Sequence, residues 1–305
     1  MVHVILRNFF LFLSKNQLLN RGARKWGLKL GASQVVAGET ISKAMKVVDE
    51  LNKKGLVCTV DHLGEFVKTK EEATESTEYC IRTLKAINKT GVNCNLSLKL
   101  TQLGLDVDPQ LCYENMKKIL ASAKEHTIFV RIDMEDYSHC QSTIDLLENL
   151  RKEYDGLVGT AIQAYLYRAL DDVENLKDVN LRLVKGAYRE PPEFAYQKKE
   201  EIDTNFLKMI KLHLRSGSYT AIATHDHQII QKVKEFCEQE KIPRSQFEFQ
   251  MLFGFRTELQ EQIAKEGYTM RIYVPYGKDW YGYFMRRLAE RPQNVSFALR
   301  GFFSK

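Results

Sequence analysis

No acidic residue occurs before Glu39 in this chain of 305 residues, whereas Arg7, Lys15, Arg21, Arg24, Lys25 and Lys29 all precede it. Those six cations account for the whole formal net charge of +6, because the remaining basic residues match the 39 acidic ones. No run approaches the roughly 18 apolar residues needed to cross a bilayer, which excludes a transmembrane span from the expectations. The apolar stretch from Val4 to Leu13 is broken by Arg7 and Asn8. No small-residue cleavage site follows it, which argues against a secretory signal. The six cysteines (Cys58, Cys80, Cys94, Cys112, Cys140 and Cys237) contain no C-x-x-C pair and no zinc spacing. Reduced, buried thiols in a cytoplasmic chain are the corresponding expectation. No patch of basic and aromatic residues recurs beyond the N-terminus, so nucleic acid is not an expected partner. Low-complexity stretches and linkers are also lacking.

The basic, apolar N-terminal segment leaves three readings open. It fits an interfacial amphipathic helix drawn to anionic lipid, a transit-like leader, or a helix docked on the main domain. The composition, 44% hydrophobic and 28% charged, is ample for one large core. Length alone allows two domains, but α/β barrels run to this size as one.

From residue 55 onward, strand and helix signals alternate. Apolar strand runs lie at Leu56–Asp61, Cys94–Leu100, Ile128–Asp133, Leu157–Tyr165, Leu181–Gly186, Tyr219–His225, Phe247–Leu252 and Met270–Val274. Between them, Thr69 to Glu72 reads as a capping box before a helix ending at Gly91. Asp108-Pro109 is an N-cap with proline in the first turn. A helix is expected from near Glu193 to Gly217, and Thr257 to Gln260 reads as a second capping box. Eight apolar strands, taken as buried on both faces and alternating with helices, predict a parallel (β/α)8 barrel over residues 55–305. Residues 1–54 are expected to add helical stretches near 2–19 and 39–54, packed on or near the barrel. An open doubly wound sheet is disfavoured, since no G-x-G-x-x-G follows the first strand and no P-loop occurs.

Chemistry in such a barrel gathers at the C-terminal strand ends. Those ends carry Asp61-His62, Lys99, Asp133 to Asp136, Gln163, Arg182 to Tyr188, Thr224 to His227, Gln250 and Tyr273. Polar groups are costly to bury unless paired or bound to a ligand, so so many of them indicate a polar ligand site. His225-x-His227 resembles a metal pair, but too few further ligands converge to complete a site. Lys99 and Lys185 are candidates for a Schiff base, as in a barrel aldolase; Lys99 fits a charge clamp better. A metal-dependent hydrolase or an aldolase acting on a small carboxylate is therefore the alternative reading. Strand parity puts Arg182 and Lys185 on opposite faces unless the strand bends near Gly186. Arg182 can serve a cofactor or pair with Asp133.

The last strand and helix carry Tyr273, Tyr283, Arg286, Arg287 and Glu290. Helical spacing brings Tyr283 next to both arginines and lets Glu290 orient either. Paired guanidinium groups suit a small carboxylate; a solvated Arg286–Glu290 pair is the bland reading.

Taken in order, Leu96 to Lys99, Arg131-Ile-Asp133-Met134, Gln163-Ala-Tyr165, Arg182 to Tyr188, Ala223-Thr-His225, Phe249 to Leu252, Arg271 to Gly277 and Tyr283 to Glu290 resemble the proline dehydrogenase family. The single-activity bacterial form is the most similar, and the match covers nearly the whole chain. The resemblance implies a distorted (β/α)8 TIM barrel with extra N-terminal helices, holding FAD. It implies oxidation of L-proline to 1-pyrroline-5-carboxylate by hydride transfer from C5 of the ring to flavin N5. Asp133 and Arg182 would be catalytic. Lys99, Leu252, Tyr273, Tyr283, Arg286, Arg287 and Glu290 would bind substrate. Met134, Gln163, Arg182, Lys185, Gly186, Ala187, Tyr188, Thr224 and His225 would contact FAD, with no metal. In the hydroxyproline-oxidising branch a smaller residue typically stands at the Tyr273 position, so tyrosine favours proline. The resemblance also implies a membrane quinone as electron acceptor, a separate aldehyde dehydrogenase for the product, and contact of the basic N-terminus with anionic lipid at the inner face of the cell membrane.

Overall fold

The computed structural model describes residues 32–64, 67–188 and 190–290, and only the backbone of residues 288–290. The expected helix near residues 2–19 and the rest of the basic segment up to residue 31 lie outside the described residues.

Eight strands close into a parallel barrel in chain order. They are β1 (Val57–His62), β2 (Cys94–Leu98), β3 (Val130–Ile132), β4 (Val158–Gln163), β5 (Leu181–Val184), β6 (Thr220–Ala223), β7 (Phe247–Leu252) and β8 (Met270–Tyr276). Among the described residues, nine α-helices surround them: α1 (Ile41–Lys53), α2 (Lys70–Thr90), α3 (Pro109–His126), α4 (Cys140–Tyr154), α5 (Ala169–Asn175), α6 (Lys199–Arg215), α7 (His227–Gln239), α8 (Thr257–Lys265) and α9 (Trp280–Glu290). None is long and apolar enough to cross a membrane. Helix α1 precedes the barrel and contributes Ala44, Met45 and Val48 to the same apolar core as the strands.

The strands are not apolar on both faces, as the sequence reading assumed. Successive side chains alternate across a strand, and here one set is apolar and the other polar. Val60, Leu96, Leu98, Val130, Ile132, Leu181, Leu183, Phe249, Ile272 and Val274 belong to the helix-covered core. The alternate positions place Thr59, Ser97, Arg131, Arg182, Glu248, Gln250, Arg271 and Tyr273 on the other face of the wall. Register confirms that these positions meet: Ser97 pairs with Arg131, Gln250 with Arg271, and Thr59 with Tyr273.

Charges buried this way cost several kcal/mol each unless paired. Arg271 Nε donates to both Glu248 oxygens at 2.8 and 3.0 Å, and Nη1 donates to Cys58 O at 2.6 Å. The Tyr219 hydroxyl also donates to Glu248, at 2.9 Å. Arg131 donates to Thr160 O at 2.8 Å. It has room because its register partner is Gly159, where a Cβ would lie 3.0 Å from Arg131 Nη1 and 2.1 Å from Asn180 O.

Local signals explain most helix ends. Thr69 caps α2 by accepting from Glu72 N, and Glu72 reaches back to Lys68 N. Asp108 caps α3 through Gln110 N and Leu111 N. Thr257 does not cap α8. The cap position is Arg256, at φ +53° and without a side-chain cap bond, while Gln260 donates to Leu252 O and Phe255 O. The apparent capping box is spent on the loop after β7 instead. Helix α6 begins at Lys199 rather than near Glu193, because Pro191 and Pro192 hold the preceding residues in turns.

Candidate active site

The mouth of the barrel is built where polar register positions run past the strand ends. Lys99 follows β2 and is buried; its Nζ donates to Asp61 Oδ2 at 3.0 Å and Asp133 Oδ2 at 3.3 Å. Tyr273 OH lies 2.7 Å from each of those same two oxygens. On the far side of Asp133, Arg182 Nη1 contacts Oδ1 at 2.5 Å. The remaining guanidinium donors go to Gln250 Oε1 at 2.7 Å and Ser97 Oγ at 3.0 Å, and the guanidinium lies 5.2 Å from the Tyr273 ring centroid. Five strands thus fix one group of four ionisable side chains and a phenol.

The charges differ in character. Burial raises Asp61 above the usual carboxylate range, opposed by Lys99 and reinforced by Asp133. Burial acts on Asp133 too, but Lys99 and Arg182 more than offset it and hold that carboxyl low. Burial, with both carboxylates nearby, keeps the Tyr273 hydroxyl protonated.

Gln163 donates through Nε2 to the carbonyls of Met134 and Glu135, at 3.2 and 3.0 Å. That fixes the amide's orientation and leaves its buried Oε1 without a partner among the described residues. After β5 the chain bends at Gly186 (φ +112°), where any Cβ would meet the Tyr165 ring at 2.1 Å. The bend comes too late to bring Arg182 and Lys185 together, and strand parity keeps them on opposite faces. Arg182 stays inside the barrel, whereas Lys185 pairs with Asp203 at 2.5 Å and Asp226 at 3.3 Å. Gly186 and Ala187 are exposed at the mouth and Tyr188 is half-buried. Buried Thr224 accepts from Asp226 N at 3.1 Å. His225 Nε2 accepts from Leu252 N at 3.1 Å, which commits that nitrogen and puts the ring proton on Nδ1. His225 and His227 do not form a strand pair: β6 ends at Ala223 and His227 opens α7. Among the described residues, no group of three His, Cys, Asp or Glu side chains is placed to hold a metal.

Helix α9 is fixed by its own small core. Trp280, Tyr281, Tyr283 and Phe284 pack with Leu63, which follows β1, and with Ala32, Val35 and Val36. Backbone bonds from Leu63 N to Tyr276 O and from Gly277 N to Gly38 O join the same segments. The Arg287 guanidinium lies 5.2 Å from the Tyr283 ring centroid, as the helical spacing anticipates. Arg286 and Arg287 are half-buried; the side chain of Glu290 lies outside the described residues.

Asp61, Ser97 and Gln250 were missing from the candidate site residues although Asp61 and Gln250 were legible as polar strand ends. The signal that finds all three is strict alternation: Thr59-x-Asp61, Asn95-x-Ser97-x-Lys99 and Glu248-x-Gln250 each place their polar residues on one face.

A closed parallel barrel with a paired, buried charge group at its C-terminal mouth defines a barrel enzyme acting on a small polar molecule. Comparison with known proteins narrows the class. Residues 44–300 match the family model described as proline dehydrogenase. The chain is 49% identical to proline dehydrogenase 2 of Bacillus subtilis over 304 residues, covering 99% of this chain and 100% of that one. It is 39% identical to proline dehydrogenase of Deinococcus radiodurans, with 99% of each chain covered. Among solved structures, proline utilization A from Bdellovibrio bacteriovorus, inactivated by N-propargylglycine, superposes with a TM-score of 0.80 at 27% identity, covering 90% of this chain and 34% of that one. The chain belongs to the proline dehydrogenase family.

Proposed function

We propose that this chain is an FAD-dependent enzyme that oxidises L-proline to 1-pyrroline-5-carboxylate. The observation that carries the reading is the buried group of Lys99, Asp61, Asp133, Arg182 and Tyr273 at the mouth of a family barrel. A lysine held against two aspartate side chains is a poor Schiff-base nucleophile but a good charge clamp, which favours this over an aldolase.

The residues present suit FAD. The unpartnered Gln163 Oε1 offers a preset acceptor for a ring N–H, and the exposed backbone at Gly186 and Ala187 allows close approach. Met134, Gln163, Arg182, Lys185, Gly186, Ala187, Tyr188, Thr224 and His225 would hold it. When bound, FAD would supply N5 as acceptor of the hydride leaving C5 of proline.

The chain's own residues position and exclude. Arg286, Arg287 and Lys99 would grip the substrate carboxylate, with Glu290 bracing the arginines. Tyr273 and Leu252 would pack against the ring, and Tyr283 and Asp133 would complete the hydrogen-bonding shell. Lys99 and Arg182 hold the Asp133 carboxyl low, and Arg182 would lend positive charge to a bound flavin. Such positioning in a dry pocket is what a hydride transfer requires of a protein. We further propose that electrons pass to a membrane quinone, that a separate aldehyde dehydrogenase consumes the product, and that the basic residues before Glu39 meet anionic lipid at the inner face of the cell membrane. The charge distribution of the sequence supports the last point. Deleting residues 1–30 should then lower quinone turnover in vesicles but not turnover with a soluble acceptor.

Mass spectrometry tests the reaction. With an electron acceptor present, L-proline should yield a product two hydrogens lighter. A colourless preparation needing zinc, or a lysine adduct trapped by borohydride, would contradict the reading.

A further inference from the structure

The Tyr273 hydroxyl has one proton and two carboxylate oxygens at 2.7 Å, Asp61 Oδ2 and Asp133 Oδ2. It can donate to only one. The other short oxygen–oxygen contact needs a proton on the carboxyl side; otherwise two lone pairs face each other in a buried site. Lys99 does not remove the conflict, because its protons point at those same carboxylate oxygens.

The surroundings decide which carboxyl carries the proton. Asp133 has a second cation, Arg182, on its Oδ1, and its side chain is 13% exposed. The Asp61 side chain is 2% exposed, and its Oδ1 has no partner among the described residues. Among the described residues, the charged and titratable groups facing it are Lys99 beyond β2, Asp133 beyond β3, Tyr273 and Tyr276 on β8, and Cys80 on α2. Lys99 is the one cation in that set, and it is shared with Asp133. Burying a carboxylate with half a counter-charge and an orphaned oxygen favours the neutral acid. The upward displacement of Asp61 and the downward displacement of Asp133 agree with this geometry.

We infer that Asp61 is a neutral carboxylic acid that donates to the Tyr273 hydroxyl, so that Tyr273 donates onward to Asp133. In this role Asp61 is a positioning residue: it sets the direction of the Tyr273 hydroxyl and the lie of Lys99. With Asp61 neutral, Lys99 and Arg182 outweigh Asp133 by one positive charge, which suits an anionic group of the substrate. The charge argument rests on the proposed oxidation of proline; the protonation does not.

Two measurements on the full, flavin-loaded chain separate these parts. Infrared difference spectroscopy between wild type and Asp61→Asn should show a buried protonated-carboxyl band that the variant lacks. The absence of that band in wild type, or its survival in the variant, overturns the inference whatever the substrate proves to be. In steady state, Asp61→Ala should raise KM for L-proline by about tenfold or more, the scale of one lost buried hydrogen bond. Asp61→Asn, a neutral isostere, should recover most of that loss. Equal losses in both variants would make Asp61 the ionised partner of Lys99. If Asp61→Asn does not fold, Tyr273→Phe replaces it: removing the hydroxyl partner should shift the same band, and an unmoved band overturns the pairing.

Discussion

Arg182 ties much of the site together, reaching Gln250, Ser97, Asp133 and the Tyr273 ring from inside β5. Residues of this kind act by holding others. The proposed substrate clamp should behave differently: Arg286→Met should raise KM for L-proline by roughly a hundredfold or more while leaving flavin content intact. Loss of flavin instead would assign Arg286 to the cofactor or the fold. Gly186 supports a different expectation. Its φ of +112° and the Tyr165 ring 2.1 Å from a would-be Cβ leave an alanine no place. Gly186→Ala should cost about 1–3 kcal/mol in backbone strain alone and lower flavin occupancy, read by melting temperature and visible absorbance.

At the scale of elements, the order and number of strands were legible because each apolar run is bounded by turn residues. The inner face was not, because Arg131, Arg182 and Arg271 read as interruptions of apolar strands until alternation is applied. Each is accommodated by a partner far away in sequence, Asn180, Asp133 and Glu248, and no local pattern announces such pairs. The charge group at the mouth was half legible for the same reason: the types and positions could be read, but not that Lys99 and Tyr273 share two carboxylates. Caps show the limit of short motifs. Thr69→Ala should lower the urea midpoint by the equivalent of about 1 kcal/mol, since Thr69 accepts from Glu72 N. Thr257→Ala should cost much less, since it occupies the first turn of α8 rather than its cap. Equal costs would mean that the motif, not the observed geometry, governs α8.

For the whole molecule, acid sensitivity follows from two imidazoles, His213 buried and His62 half-buried. Burial depresses both His62 and His213 to about 4, against an ordinary value of 6.5. Between those values the unfolded chain takes up protons that the folded chain refuses, so stability falls as pH drops from about 6.5 towards 4 and is unaffected by these groups above that range. His213, fully buried between Thr220 and the Val179 carbonyl, should contribute roughly 1.4 kcal/mol per pH unit across the window. Melting temperatures taken at about pH 7, 6 and 5 should therefore decline, and His213→Gln should flatten part of the decline. A wild-type melting temperature constant over that range would contradict it.

A barrel lined with charge rather than with branched apolar residues makes sense as a rigid holder for a polar substrate against a redox cofactor. The visible spectrum under anaerobic conditions tests that most directly. The purified protein should be yellow, and L-proline added without oxygen should bleach it. A yellow protein whose spectrum L-proline leaves unchanged would contradict the reading.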